Sequence, residues 1–162
     1  MIADELATVA ALLRGQRQAA LGTVSEGTPH VAMVAFAAEA DFAGVLLHLS
    51  RLAAHTRHLL ADPRASLLVA EQDDGREDVQ TLARLTLTGR VERVARDTPA
   101  FEAGRALYLA RLPAAAMLFD FADFELLRLA PDGARYVGGF ARAYTLTPEH
   151  LRQAAAASTA GA

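Results

Sequence analysis

The 162-residue chain reads as a single mainly β domain with short α-helices, an antiparallel barrel of roughly six or seven strands. Three stretches carry that expectation. From Ala83 to Val91 the odd positions are apolar or glycine, while Arg84, Thr86, Thr88 and Arg90 hold the even ones. A period of two sends one face into a core and turns the other to solvent, a ligand or a subunit. Ser25-Glu26-Gly27-Thr28 is turn chemistry between two apolar runs, which predicts a hairpin. The third stretch, Val45 to Val69, reads as buried strand, short helix, Pro-marked turn and second buried strand.

In chain order, Leu6, Val9, Ala10 and Leu13 recur at helical spacing, so Ala3 to Leu13 is an amphipathic helix ended by Gly15. Ala19 to Val24 and Pro29 to Phe36 form the hairpin, and Val45 to Leu49 is a third strand. Leu52 to Ala61 is a short helix that Asp62-Pro63 terminates, because proline disfavours helix in the residue before it. Ala65 to Ala70 is a strand, and an acidic loop, Glu71 to Asp78, leads into the alternating strand. That pattern breaks at Arg93-Val94, which marks a bulge or the strand end. Thr98-Pro99 opens a helix to about Ala110, with proline at the favoured first position, and a second short helix follows Pro113. Phe124 to Leu129 and Ala134 to Val137 are strands around a Pro131-Asp132-Gly133 turn. Gly138-Gly139-Phe140 calls for unusual backbone angles. Thr147-Pro148 opens a last helix, fraying from Ala154. The domain spans residues 1–151 and an Ala-rich tail covers 152–162, with no internal repeat.

Composition excludes several chemistries. The chain has no cysteine, lysine, asparagine or tryptophan, and all sixteen basic residues are arginine. Thiolate metal sites, cysteine nucleophiles, lysine Schiff bases and a lysine-bearing phosphate loop are therefore out. A net charge of −3 argues against a nucleic-acid partner. No apolar run is long enough to span a bilayer, and the N-terminus lacks a signal pattern. A cytoplasmic protein with no membrane partner is the expectation.

Ser50, His55, Thr56, Arg57 and His58 concentrate hydrogen-bond donors where the first buried strand gives way to the helix. A helix start after a strand offers free N–H groups and a positive dipole end, which suits a phosphate. His55 and His58, three apart, share a helix face, but no nearby carboxylate completes a metal site, so no metal is expected. On the residues alone, Arg57 and Arg84 are surface arginines, His48 is a strand-end polar group, and Phe119, Phe121 and Phe124 are core or interface.

The Asp62-Pro63-Arg64-Ala65-Ser66-Leu67-Leu68 run and the Gly89-Arg90-Val91-Glu92 strand resemble the pyridoxamine 5′-phosphate oxidase-related FMN-binding split barrels. His55-Thr56-Arg57 and Val137-Gly138-Gly139-Phe140-Ala141-Arg142-Ala143 resemble the haem-utilisation branch of that superfamily. The likeness covers about Leu6 to Leu151. It implies a homodimeric split β-barrel with FMN at the subunit interface and a small-molecule substrate. It places the FMN phosphate on Ser50 and His55, the latter where the family often has lysine, with Thr56 and Arg57 close by. It adds Arg84 from the long strand and the backbone of Ala32, Met33 and Val34 beside the flavin ring. The second strand lacks the oxidase's basic residues, and its C-terminal tryptophan and Arg–His substrate motif are missing. The resemblance therefore implies an FMN-dependent oxidoreductase that does not act on pyridoxamine phosphate. The alternatives are a haem-binding or haem-degrading barrel without flavin, for which His30 is a candidate axial ligand, and a degenerate non-catalytic barrel.

Overall fold

The strands close on themselves because one stretch of chain serves both edges of the sheet. In the computed structural model, which describes residues 3–159, β1 (Gln18–Ser25) pairs antiparallel with β2 (Thr28–Ala35). Directly after β2, the two-residue β3 (Ala37–Ala38) pairs instead with β4 (Val45–Ser50). With β5 (Arg64–Ala70), β6 (Arg84–Arg93) and β7 (Phe124–Val137), the order is β2-β1-β5-β6-β7-β4-β3, so residues 28–38 stand at both ends of the row. The sheet curls to let that happen, giving the expected antiparallel split barrel. β8 (Ala143–Leu146) adds to β7.

Period-two alternation fills the barrel. Leu21, Leu47, Leu67, Leu85, Leu87 and Leu129 are wholly buried inside it, together with Phe36 and Tyr136. Each such leucine contributes roughly 1.5–3 kcal/mol of burial. Helices α1 (Ala3–Gly15) and α4 (Pro148–Thr159) close one end, with Val9, Leu13 and Leu151 in the same core. The tail differs from expectation here. Ala154 and Ala155 do not fray but lie buried, and the Ala155 carbonyl accepts from Arg14 at 3.0 Å. Alanine is small enough to let α4 approach α1, so an Ala-rich sequence supplies a packing face.

Pro131-Asp132-Gly133 differs too. The chain does not turn back there; β7 runs through it, and the register against β6 shifts between Thr88 and Gly89. Thr88 faces Gly133 and Gly89 faces Pro131, which leaves Asp132 as the extra residue of a bulge. Gly89 is required opposite it, because a Cβ there would collide with the Ala130 carbonyl. Gly139 takes the expected left-handed backbone, φ 114°, and Phe140 beside it is fully exposed. The segment after Pro113 is 3₁₀ helix, Pro113–Asp120.

Outside the barrel, one sheet face is covered and another is bare. Helix α3 (Pro99–Arg111) and the 3₁₀ segment press Phe101, Tyr108 and Phe119 onto Ala37, Leu46 and Leu126. Among the described residues no element covers the side of β2, β1 and β5 that carries Val31, Met33 and Leu68. Val31, Met33 and Leu68 are 75%, 71% and 38% exposed there. Among the described residues no helix is long and apolar enough to cross a membrane.

Candidate functional site

The crossing from β4 to helix α2 (Ala54–Ala61) does bring Ser50, His55, Thr56 and Arg57 together. β4 is buried over Val45–Leu49, so the chain emerges at Ser50 and turns. Ala53 is the N-cap and has no side-chain cap to give, so no side chain satisfies the first helical N–H groups. The polar side chains around it are already engaged. Ser50 Oγ donates to the Asp123 carboxylate at 2.6 Å and accepts the Leu52 N–H at 3.1 Å. Arg57 donates to the Leu52 carbonyl at 2.6 Å. Thr56 is wholly buried and its hydroxyl lacks a protein partner. His55 is half-buried. Burial, and then the nearby His58, hold its imidazole below the ordinary histidine value, which favours the neutral ring.

Arg84 lies elsewhere. It starts β6 and donates to the Gln80 and Leu82 carbonyls at 2.9 and 3.1 Å. Ser50 pairs with Phe124 at the start of β7, which runs beside the end of β6 at Arg93. Nine strand residues, roughly 30 Å, separate Arg84 from that end. A phosphate held by this set would also face Asp123 across Ser50. Within one chain, then, these residues do not fit an FMN phosphate. Ala32, Met33 and Val34 sit on edge strand β2 with alternating fates: Val34 enters the core and Met33 points out.

A second cluster forms at the hairpin on the side opposite Val31 and Met33, where α2 packs against β1 and β2. Thr23 stands opposite His30 across the hairpin. The Thr23 hydroxyl, almost wholly buried, is 2.9 Å from Nδ1 of His58 on α2. The His58 and His30 rings lie 4.4 Å apart, tilted by 44°. His30 is exposed. Beside it runs a depression of about 370 Å³, lined by Gly22, Val31, Arg64, Ser66 and Thr88. Arg64 is held by Asp62 at 2.6 Å, and the Arg64 hydrogen bonds draw the Asp62 carboxyl down to about 2. Among the described residues no three His, Asp or Glu side chains are grouped to hold a metal ion.

This cluster was partly readable in advance. Counting back from the Ser25–Thr28 turn pairs Thr23 with His30, whereas nothing local to His58 announces Thr23, 35 residues earlier. Asp123, 73 residues from Ser50, gave no such signal either.

Set against known proteins, residues 6–138 match the family described as pyridoxamine 5′-phosphate oxidase. The chain belongs to that family. Within it, the chloroplastic heme oxygenase HOZ of Arabidopsis thaliana is 39% identical over 153 residues, 93% of this chain and 44% of that protein. The heme oxygenase HutZ of Vibrio cholerae is 28% identical over 133 residues, 81% of this chain and 74% of its own length. A structure described as a heme binding protein from Mycobacterium smegmatis superposes with a TM-score of 0.80 at 32% identity, covering 93% of this chain and 60% of that one. The chain thus spans less than half of the Arabidopsis relative. These relatives place the chain in the haem-utilisation branch of the split-barrel fold.

Proposed function

We propose that this protein binds haem beside the β1–β2 hairpin of its barrel and takes part in haem breakdown, with haem as substrate. The observation that carries this reading is the exposed His30 imidazole on the edge strand next to His58, in a chain whose relatives are named heme oxygenases. A haem needs a nitrogen for its iron, a flat apolar bed and cations near its carboxylates. His30 supplies an accessible nitrogen, and the depression beside it offers Val24, Pro29 and Val31 as an apolar wall and Arg64 as a guanidinium at the rim. Thr23 fixes the ring of His58 through Nδ1, and His58 in turn limits how His30 can rotate. His48 cannot take that role, because it is buried and stacked on Phe119.

A second copy over the outer side of β2, β1 and β5 would cover Val31, Met33 and Leu68, so a homodimer is part of this reading. Haem titration tests it. A saturable Soret shift is expected, weakened at least tenfold in His30→Ala. An unchanged titration in both His30→Ala and His58→Ala would overturn the assignment.

FMN is the second reading, favoured by the uncapped start of α2 next to Ser50 and His55. Its mark is a shifted flavin spectrum with FMN at tens of micromolar. Binding through a protonated His55 would be strongest at low pH and fade as pH rises, because the free imidazole is held below its ordinary value.

A further inference from the structure

A depression of about 720 Å³ adjoins the first cluster, between the β4–α2 turn and the end of β6. Three arginines line it from three segments: Arg51 from the turn, Arg93 from the last position of β6, and Arg96 from the link to α3. Their side chains are held in place from within. Glu125, 6% exposed, accepts from Arg51 at 3.1 Å and from Arg93 at 2.9 Å, both on the same oxygen. Arg51 also donates to the Ala122 carbonyl at 2.8 Å. Arg96 bridges the Phe121 and Phe124 carbonyls at 3.1 and 2.8 Å, and its guanidinium rests over the Phe101 ring.

Long arginines on a surface usually lose much rotamer freedom when they bind. Here that freedom is spent in the fold. Each guanidinium carries five donors, and these contacts leave most of them unused. One buried carboxylate shared by two guanidiniums also leaves a positive charge unmatched at that point. Val94, Ala95 and Ala122 make the rest of the wall apolar. Asp120, exposed at the rim, opposes an anion, and Asp123 nearby is turned to Ser50.

We propose that this groove is a separate binding site for a small molecule with an apolar body and one oxyanion group, carboxylate or phosphate. The arginines grip the oxyanion in a preset fork, and the alanine and valine wall receives the body. The volume is within the roughly 300–1,000 Å³ usual for such sites. The groove shares none of its lining with the hairpin cluster, and it meets the β4–α2 crossing at Arg51, next to Ser50.

The test follows arginine Nε–H signals of the full chain by NMR during titration with phenyl phosphate and, separately, 3-phenylpropionate. At least one probe should give saturable shifts confined to Arg51, Arg93 and Arg96, and the tighter arm identifies the oxyanion. Arg96→Gln should weaken that probe roughly tenfold, the scale of one charge-assisted hydrogen bond. Asp120→Asn, at an exposed rim position, should tighten it and provides the test if Arg96→Gln does not fold. Shifts spread over all sixteen arginines, or affinities that neither variant moves, would overturn the proposal.

Discussion

Two regions of this barrel, the face under α3 and the hairpin beside α2, carry the same side chain to opposite ends. On the covered face, His48 stacks on Phe119 at 3.7 Å with the rings 5° apart, near Tyr108 and Phe124. It is 6% exposed and its Nδ1 has no protein partner. Burial, and then the charge of Arg96, hold its pKa down to about 4. Burial likewise pushes the Tyr108 hydroxyl up to about 12. At the hairpin, His58 of α2 meets the Thr23 hydroxyl and His30 of β2 is exposed beside it. His48 and His30 both sit on strands. The second layer, α3 and its 3₁₀ extension, decides which one is an aromatic filler and which one can meet a ligand.

Opening the covered face should have the largest effect. Phe119→Ala removes the ring stacked on His48 and should cost about 3–5 kcal/mol, measured by urea unfolding at neutral pH. Histidine NMR titration should then show His48 climbing back towards an ordinary value. If it stays near 4, burial is not what holds it there.

Next comes the pH dependence of the same residue. Above about 6.5 the His48 ring is neutral in both folded and unfolded chains. As pH falls towards 4 the unfolded chain takes up the proton first, so the native state loses stability, by at most roughly 3 kcal/mol. His48→Phe keeps the stack and should abolish that component. Unfolding curves at several pH values between 7 and 4 check this, and equal slopes in the two proteins would refute it.

At the hairpin and on the bare face the effects should be smaller. Thr23→Val keeps shape but removes the hydroxyl facing His58, at a cost of about 1 kcal/mol. The His58 ring signals should broaden or shift while His48 stays put. Met33→Asp should be smallest in stability, within about 0.5 kcal/mol for an exposed position. The same variant should still shift the sedimentation equilibrium towards monomer if a second copy covers that face.

Much of the fold was legible because its signals are local and periodic. The Ala83–Val91 alternation became β6, which runs Arg84–Arg93, and the Ser25–Thr28 turn joins β1 and β2 as the expected hairpin. The misreadings share one cause. Pro131-Asp132-Gly133 carries turn chemistry, but Gly89 on the partner strand lets the backbones meet, and the segment becomes a bulge. Ala154 and Ala155 looked like a fraying end until α1 supplied a surface for them. Among the site residues, the donors at Ser50 and Arg57 were visible. The Asp123 carboxylate that occupies Ser50 was not, because it lies 73 residues later in the chain, just before the neighbouring strand β7.

By itself, the sequence determined the strand count to within one or two, the hairpin, the absence of thiol and amine chemistry, and the family. Each of these depends on residue type or on neighbours within a turn or two. Tertiary structure alone decided that residues 28–38 join both edges of the sheet. It also decided that Arg84 stands far from Ser50, that His48 is sealed while His30 is open, and that three arginines meet around Glu125. These outcomes follow from long-range pairing and from which faces a second layer happens to cover, neither of which local sequence periodicity encodes.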